Sequence, residues 1–324
     1  MSAEQLAGLS DKFVVAAVLL YIIAMVGFAM ELAFGRAVPG KAAVKRAARQ
    51  PVTVGAPSDG DPSDGDAAPE AEAAVADPAP VMGGGARAGR IALVLAWIGW
   101  AANLGAIITR GLAVGRWPWG NMYEFVVAIC LAAVTAFLFT QVRQNVRFLG
   151  AFVMIAATLG LGFAVKVLYT AAGPVVPALN SYWIAIHVTA AILASGLFTL
   201  AGVSGVLFLV RGDGLSRLPT RDDLERVAHR AIVLAFPLWT FAVIAGALWA
   251  DRAWGRYWGW DPKEVWSFIT WVAYAAYLHA RVTAGWRGRA AMIVQLLAFG
   301  CLIFNLVGVN IFISGLHSYA DVSG

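Results

Sequence analysis

Cysteine, histidine and charge are all scarce in this chain. Its 324 residues include two cysteines and four histidines. Cys130 and Cys301 fall in separate apolar runs, and the sequence contains neither CxxC nor CxxCH. The chain therefore carries no covalently attached c-type heme of its own, and the two cysteines read as small packing residues rather than a redox pair. Only 13% of residues are charged while 60% are hydrophobic, with a mean hydropathy of +0.73, which excludes an ordinary soluble domain. The net charge of +5 is concentrated between apolar runs and gives no reason to expect nucleic acid.

Eight apolar runs are present, at roughly 13–35, 91–113, 123–142, 148–169, 183–210, 231–250, 263–284 and 290–313. Each is long enough to cross a bilayer, since a helix rising ~1.5 Å per residue needs about 20 residues for ~30 Å of hydrocarbon. The expectation is an all-α polytopic membrane protein with about eight transmembrane helices. The first run lacks a basic leader and a small-residue cleavage site and is followed by Arg36, Lys41, Lys45, Arg46 and Arg49. It reads as a retained helix with its N-terminus outside.

With that orientation the inside connections are 36–90, 143–147, 211–230 and 281–289, which hold 17 of the 24 Lys and Arg residues. Positive charge prefers the inside, so both termini and the 251–266 connection between helices six and seven are expected outside. Residues 36–90 are rich in Ala, Pro, Asp and Gly and contain no aromatic residue, the composition of a disordered cytoplasmic linker. The expected organisation is an N-terminal helix (1–35), that linker, and a seven-helix unit (91–324).

The 251–266 connection holds Trp254, Tyr257, Trp258, Trp260 and Trp266, punctuated by Gly255 and Gly259. An interfacial aromatic belt explains one or two tryptophans but not this density. Arg252, Arg256 and Lys263 add three positive charges on the side that is otherwise poor in them. A planar, partly apolar anion accounts for both features. Heme fits, because its ring packs on indoles, its propionates pair with cations and its iron takes histidine. Asp261-Pro262-Lys263-Glu264 reads as a helix start, with Asp261 as cap, proline at the first position and Glu264 closing a capping box. Capping is thus a sufficient role for both acids.

His187 lies just inside the fifth run, with Trp183 four residues earlier on the same face, and His317 follows the eighth. Both fall at the surface that carries the tryptophan loop, which favours iron ligation over interfacial hydrogen bonding. His279 falls about 24 Å down the seventh helix, toward the inner leaflet, where an ionisable residue is a functional candidate. His229, between Arg226 and Arg230, reads as part of a solvated basic turn with no assigned role.

WGRYWGWDPKEVW strongly resembles the WWD motif of heme-handling proteins in cytochrome c maturation, above all the CcsA/ResC family of the system II cytochrome c synthase, called CcsB in some bacteria. The resemblance extends to SFITWVAYAAYLHAR, to GLHSYA, to the Trp-Ile-Ala-Ile-His stretch ending at His187 and, more loosely, to Asn121-Met-Tyr-Glu124, covering most of 115–320. It departs at Gly259, where many relatives have serine, and in the 36–90 insertion. The resemblance implies that His187 and His317 are external heme ligands and catalytic positions. Trp183, Trp254, Tyr257, Trp258, Trp260, Arg252 and Arg256 would then surround the ring. It implies an inner heme site at His279 whose second ligand comes from a CcsB/ResB-type partner, because no other histidine is expected within a helix at that depth. Heme b as substrate, apocytochrome c bearing CxxCH, separate thiol-reducing proteins and the bacterial cytoplasmic membrane follow from the same likeness. Two other readings stay open. One is a CcmC-type heme delivery protein without ligase activity; the other is a quinone-binding membrane oxidoreductase subunit.

Overall fold

The computed structural model describes residues 1–35, 84–175, 181–211 and 218–317. The expected linker therefore lies outside the described residues except for its last part, 84–90, which is helical rather than linker. The elements are α1 (Ala3–Phe34), α2 (Gly84–Val114), α3 (Met122–Arg143), α4 (Gly150–Val167), α5 (Tyr182–Val210), α6 (Arg221–Trp254), α7 (Pro262–Thr283) and α8 (Gly288–Ile303). A short 3₁₀ turn, Arg147–Leu149, precedes α4. Past α8 the helix continues through a π turn, Phe304–Gly308, into α9 (Val309–Phe312).

Among the described residues, seven helices are long and apolar enough to cross a membrane. The eighth expected span, α7, has the length at 22 residues, but its tryptophans, tyrosines, His279 and Arg281 keep its hydropathy below the others. The architecture is that of an all-helical polytopic membrane protein.

Caps explain where hydropathy misjudged the helix ends. Ser2 and Gln5 form a capping box that starts α1 well before its apolar run. Thr220 caps α6 by accepting from the Asp223 amide, and Asp222 and Asp223 lie in its first turn, where negative charge favours a helix N-terminus. The segment 221–230, expected as part of an inside loop, is therefore the start of a 34-residue helix.

Small residues let the helices approach closely. A Cβ on Gly27 of α1 would meet Ala92 of α2 at 2.8 Å, and one on Gly196 of α5 would meet the Ala132 backbone of α3 at 2.6 Å. α1 packs along α2 and α4, α5 packs along α6, and the α3–α5 contact joins the two groups. The side chain of Asp11 on α1 accepts from Tyr169, just past α4, at 2.9 Å. At the opposite end of the bundle Arg147 pairs with Glu31 at 3.3 Å. Helix direction then alternates, so the starts of α3, α5 and α7 and the end of α6 gather at the Asp11 end. Residues from all four of these helices line one space there.

Candidate functional site

The gathered ends enclose a cleft with an empty volume of about 1110 Å³, its mouth included. Both His187 and His317 line it.

His187 sits in the second turn of α5, and its Nδ1 lies 2.7 Å from the Ala242 carbonyl of α6. A carbonyl only accepts, so Nδ1 carries the proton and the lone pair is on Nε2. The ring fits because residue 246 has no side chain: a Cβ there would lie 2.7 Å from His187 Cε1. Trp249 of α6 stacks nearly parallel to the same ring, with centroids 6.2 Å apart and 13° between planes.

His317 reaches the cleft from beyond α9. Its Nδ1 donates to Asp261 Oδ2 at 2.8 Å, and the Leu316 amide donates to the other carboxylate oxygen at 2.6 Å. This bond likewise puts the lone pair of His317 on Nε2, in the manner of carboxylate–histidine pairs behind metal ligands. Burial alone would raise the Asp261 carboxyl, but donation from His317, Leu316 and Lys263 outweighs it and the net shift is downward. Trp254 and Trp249 meet the His317 ring edge-on at 5.0 and 6.0 Å. Trp249 thus contacts both imidazoles.

The expected capping box is present. Asp261 accepts from the Lys263 amide, and Glu264 accepts from the amides of Asp261 and Gly259 at 3.1 and 2.8 Å. Asp261 has a second duty, since the acid that starts α7 also anchors His317. Gly255 ends α6 in the left-handed conformation (φ +70°). Trp260 adopts a positive φ of 58°, an outlier for so bulky a residue, in the turn leading to Asp261.

The tryptophans do not form one flat surface. Trp254 is the last residue of α6 rather than part of the loop, and it packs on Trp249 and His317. Trp258 lines the cleft, whereas Trp260 stands perpendicular to it at 5.8 Å and is 67% exposed. Edge-to-face packing satisfies the ring quadrupoles better than a common plane. Tyr257 lines the cleft; Trp183 packs behind Trp249 and Ile184. Arg252 stacks over Tyr182 at 5.6 Å, and Arg256 is exposed beside Gly259, so neither arginine lines the cleft.

His279 is not brought to this site. It is exposed near the far end of α7 and contacts Thr283 of its own helix at 3.3 Å. His229, expected in a turn, is helical, and its Nδ1 lies 3.3 Å from the Tyr277 hydroxyl. A second histidine therefore does lie within a helix toward that end. It faces Tyr277, two residues before His279 and roughly on the opposite side of α7, so the two do not make one site.

Trp119, Trp249 and Asn305 line the cleft although the sequence alone does not single them out, and of the three cations the sequence offers for an anion it is Lys263 that lines it. Trp119 is carried in by the loop before α3, which a buried carboxylate holds. Glu124 accepts from Arg110 Nε (3.1 Å), Arg116 Nη1 (2.9 Å) and the Gly120 amide (2.8 Å). The Asn121–Glu124 stretch is its only sequence signal. Trp249 lies one turn before the loop, inside an apolar run where indoles are unremarkable.

Residues 119–317 match the family described as "Cytochrome C assembly protein". Proteins named "Cytochrome c biogenesis protein CcsA" are similar over most of the chain. The one from Trieres chinensis is 32% identical over 254 residues, covering 66% of this chain and 81% of its own. That of Gloeobacter violaceus is 30% identical, covering 69% and 86%, and that of Synechococcus elongatus is 32% identical, covering 71% and 86%. Among solved structures, "Cytochrome c Heme Lyase CcmF" superposes with a TM-score of 0.58 at 16% identity. The superposition covers 94% of this chain but only 47% of that one, about half its length, and shows a shared fold. The chain belongs to the cytochrome c assembly protein family, in its CcsA/ResC branch.

Proposed function

We propose that this chain is the heme-presenting, heme-lyase subunit of a cytochrome c synthase, working with a CcsB/ResB-type partner in a bacterial cytoplasmic membrane with the cleft on the outer side. The observation that carries this reading is the convergence of His187 and His317 on one cleft, each with Nδ1 held by a fixed acceptor, which puts the neutral ring's lone pair on Nε2. Two such nitrogens beside indoles suit the iron and ring of heme b, here the substrate. Family membership and the heme-lyase name of the CcmF protein with the same fold support it further.

In this reading Trp254, Tyr257 and Trp258 pack the ring while its vinyl edge meets the CxxCH of apocytochrome c. Each thiol adds S–H across a vinyl C=C, with sulfur joining the ring-side carbon and hydrogen the terminal carbon, so bond formation is redox-neutral. Separate proteins keep the thiols and iron reduced. The chain contributes positioning, which makes the addition effectively intramolecular. His279 serves an inner site completed by the partner.

The test is to purify the chain with its partner, record heme spectra and co-express an apocytochrome. His187→Ala and His317→Ala should each lose six-coordinate low-spin heme and thioether product, and added imidazole should restore part of both. Unchanged spectra and full product in both variants would sink the proposal. Heme loading without thioether product in the unmodified complex would reduce it to delivery.

A further inference from the structure

Lys263 is the one cation among the described residues lining the cleft, and Glu264 is the one carboxylate there. Glu264 is turned away, committed to the amides of Gly259 and Asp261. Lys263 therefore has no carboxylate within ion-pair distance among the described residues. Its Nζ donates to the Asn305 carbonyl at 2.8 Å. That carbonyl lies within the π turn, where the helix ladder shifts to longer hydrogen bonds. An ammonium has three donors, and one neutral carbonyl leaves two of them for another acceptor.

Asn305 supplies a second, independent sign of a missing ligand. Its side chain is 1% exposed and lines the cleft, yet Oδ1 has no partner while Nδ2 donates to Ser267 Oγ at 3.1 Å. A buried amide that bonds through only one of its two ends is unusual. Turning the amide over lets the Ser267 hydroxyl donate to Oδ1 and offers Nδ2 to a ligand oxygen. The two assignments are equivalent in shape. Lys263 Nζ and Asn305 Nδ2 then form a two-donor seat for a carboxylate.

We infer that Lys263 and Asn305, joined at the π turn, hold a propionate carboxylate of the tetrapyrrole. This rests on the heme reading above and deepens it. The arginines of the tryptophan loop, which sequence alone makes the natural propionate partners, lie outside the cleft. Because propionates and vinyls occupy opposite halves of the ring, the seat directs the vinyl half away from the α7–α8 wall. It thus selects which edge of heme the incoming peptide meets. Lys263 and Asn305 are positioning residues; the bond-forming atoms belong to heme and peptide.

The test compares heme with its dimethyl ester, in which both propionates are neutral, as ligands of the purified complex stripped of heme. The unmodified protein should bind the acid about tenfold to a hundredfold more tightly than the ester, the range for a charge-assisted hydrogen bond. Lys263→Met should weaken the acid alone, bringing the two ligands level, with the six-coordinate spectrum retained. Asn305→Asp, which places a negative charge beside Lys263, should also penalise the acid more than the ester. Equal binding of acid and ester by the unmodified protein overturns the inference while leaving the heme reading intact. So does a preference for the acid that survives Lys263→Met. If neither tetrapyrrole gives a His187-dependent spectrum, the heme reading itself has failed.

Discussion

The two ends of the helical bundle treat their histidines in opposite ways. At the cleft end, His187 and His317 come from distant parts of the chain and meet around Trp249, each tied through Nδ1 to an acceptor on another element. At the far end, His279 is exposed and meets Thr283 of its own helix, while His229 looks across to Tyr277. Nearby, Arg281 and Glu225 form an ion pair that ties α7 to α6. A ligand site needs oriented nitrogens around a space, and one end has both. The lesson is that a histidine's depth in a helix says less about ligation than what fixes its ring.

The contrast can be broken most forcefully at Asp261. Asp261→Ala removes the carboxylate behind His317, the acceptor for the Leu316 amide and the cap of α7 together. Heme affinity at the cleft should fall about tenfold to a hundredfold, the usual cost of losing a partner behind a metal ligand. A spectroscopic titration reads this directly. Asp261→Asn keeps the cap and should fall between the two. Unaltered affinity in both variants would mean that the Asp261–His317 bond is structural only.

A smaller effect separates the tryptophans. Trp258→Ala, which strips the cleft wall, should weaken heme binding about tenfold, as expected for a packed aromatic worth roughly 1–2 kcal/mol. Trp260→Ala, at an exposed edge, should change it less than twofold. Equal losses would mean that the cleft closes over Trp260 when occupied. The smallest expected change concerns the far end: in the chain without its partner, His279→Ala should leave heme content within error. The same substitution in the complex should lower it. A loss in the isolated chain would mean that this end holds heme unaided.

Much of this was legible in sequence. Apolar runs give eight helices, and the Asp261–Glu264 spacing gives the start of α7 to the residue. The recurrence of His187 and His317 at one surface follows from counting spans. What stayed hidden depends on side-chain direction and long-range pairing. Capping accounts fully for Asp261 in local terms, and nothing near it in sequence announces a histidine beyond α9. Arg252, Arg256 and Lys263 carry the same charge in sequence, and only the fold separates Lys263, which lines the cleft, from the two arginines, which do not. Trp249 and Asn305 sit in apolar stretches where hydropathy averages them away. The 221–230 segment looked like loop because its helix is built from caps and charges, which a search for oily runs passes over.

The π turn at Phe304–Gly308 has a consequence for how this protein can vary. A π turn is an α-helix that has accommodated one extra residue. Because the extra residue is taken up inside the turn, the helix on either side keeps its register. Its effect is local: it widens the ladder where the Asn305 carbonyl meets Lys263. Deleting one residue there would restore α geometry at Asn305 and leave the stretch toward His317 in place. The length of this helix and the placement of the histidine beyond it can thus vary independently.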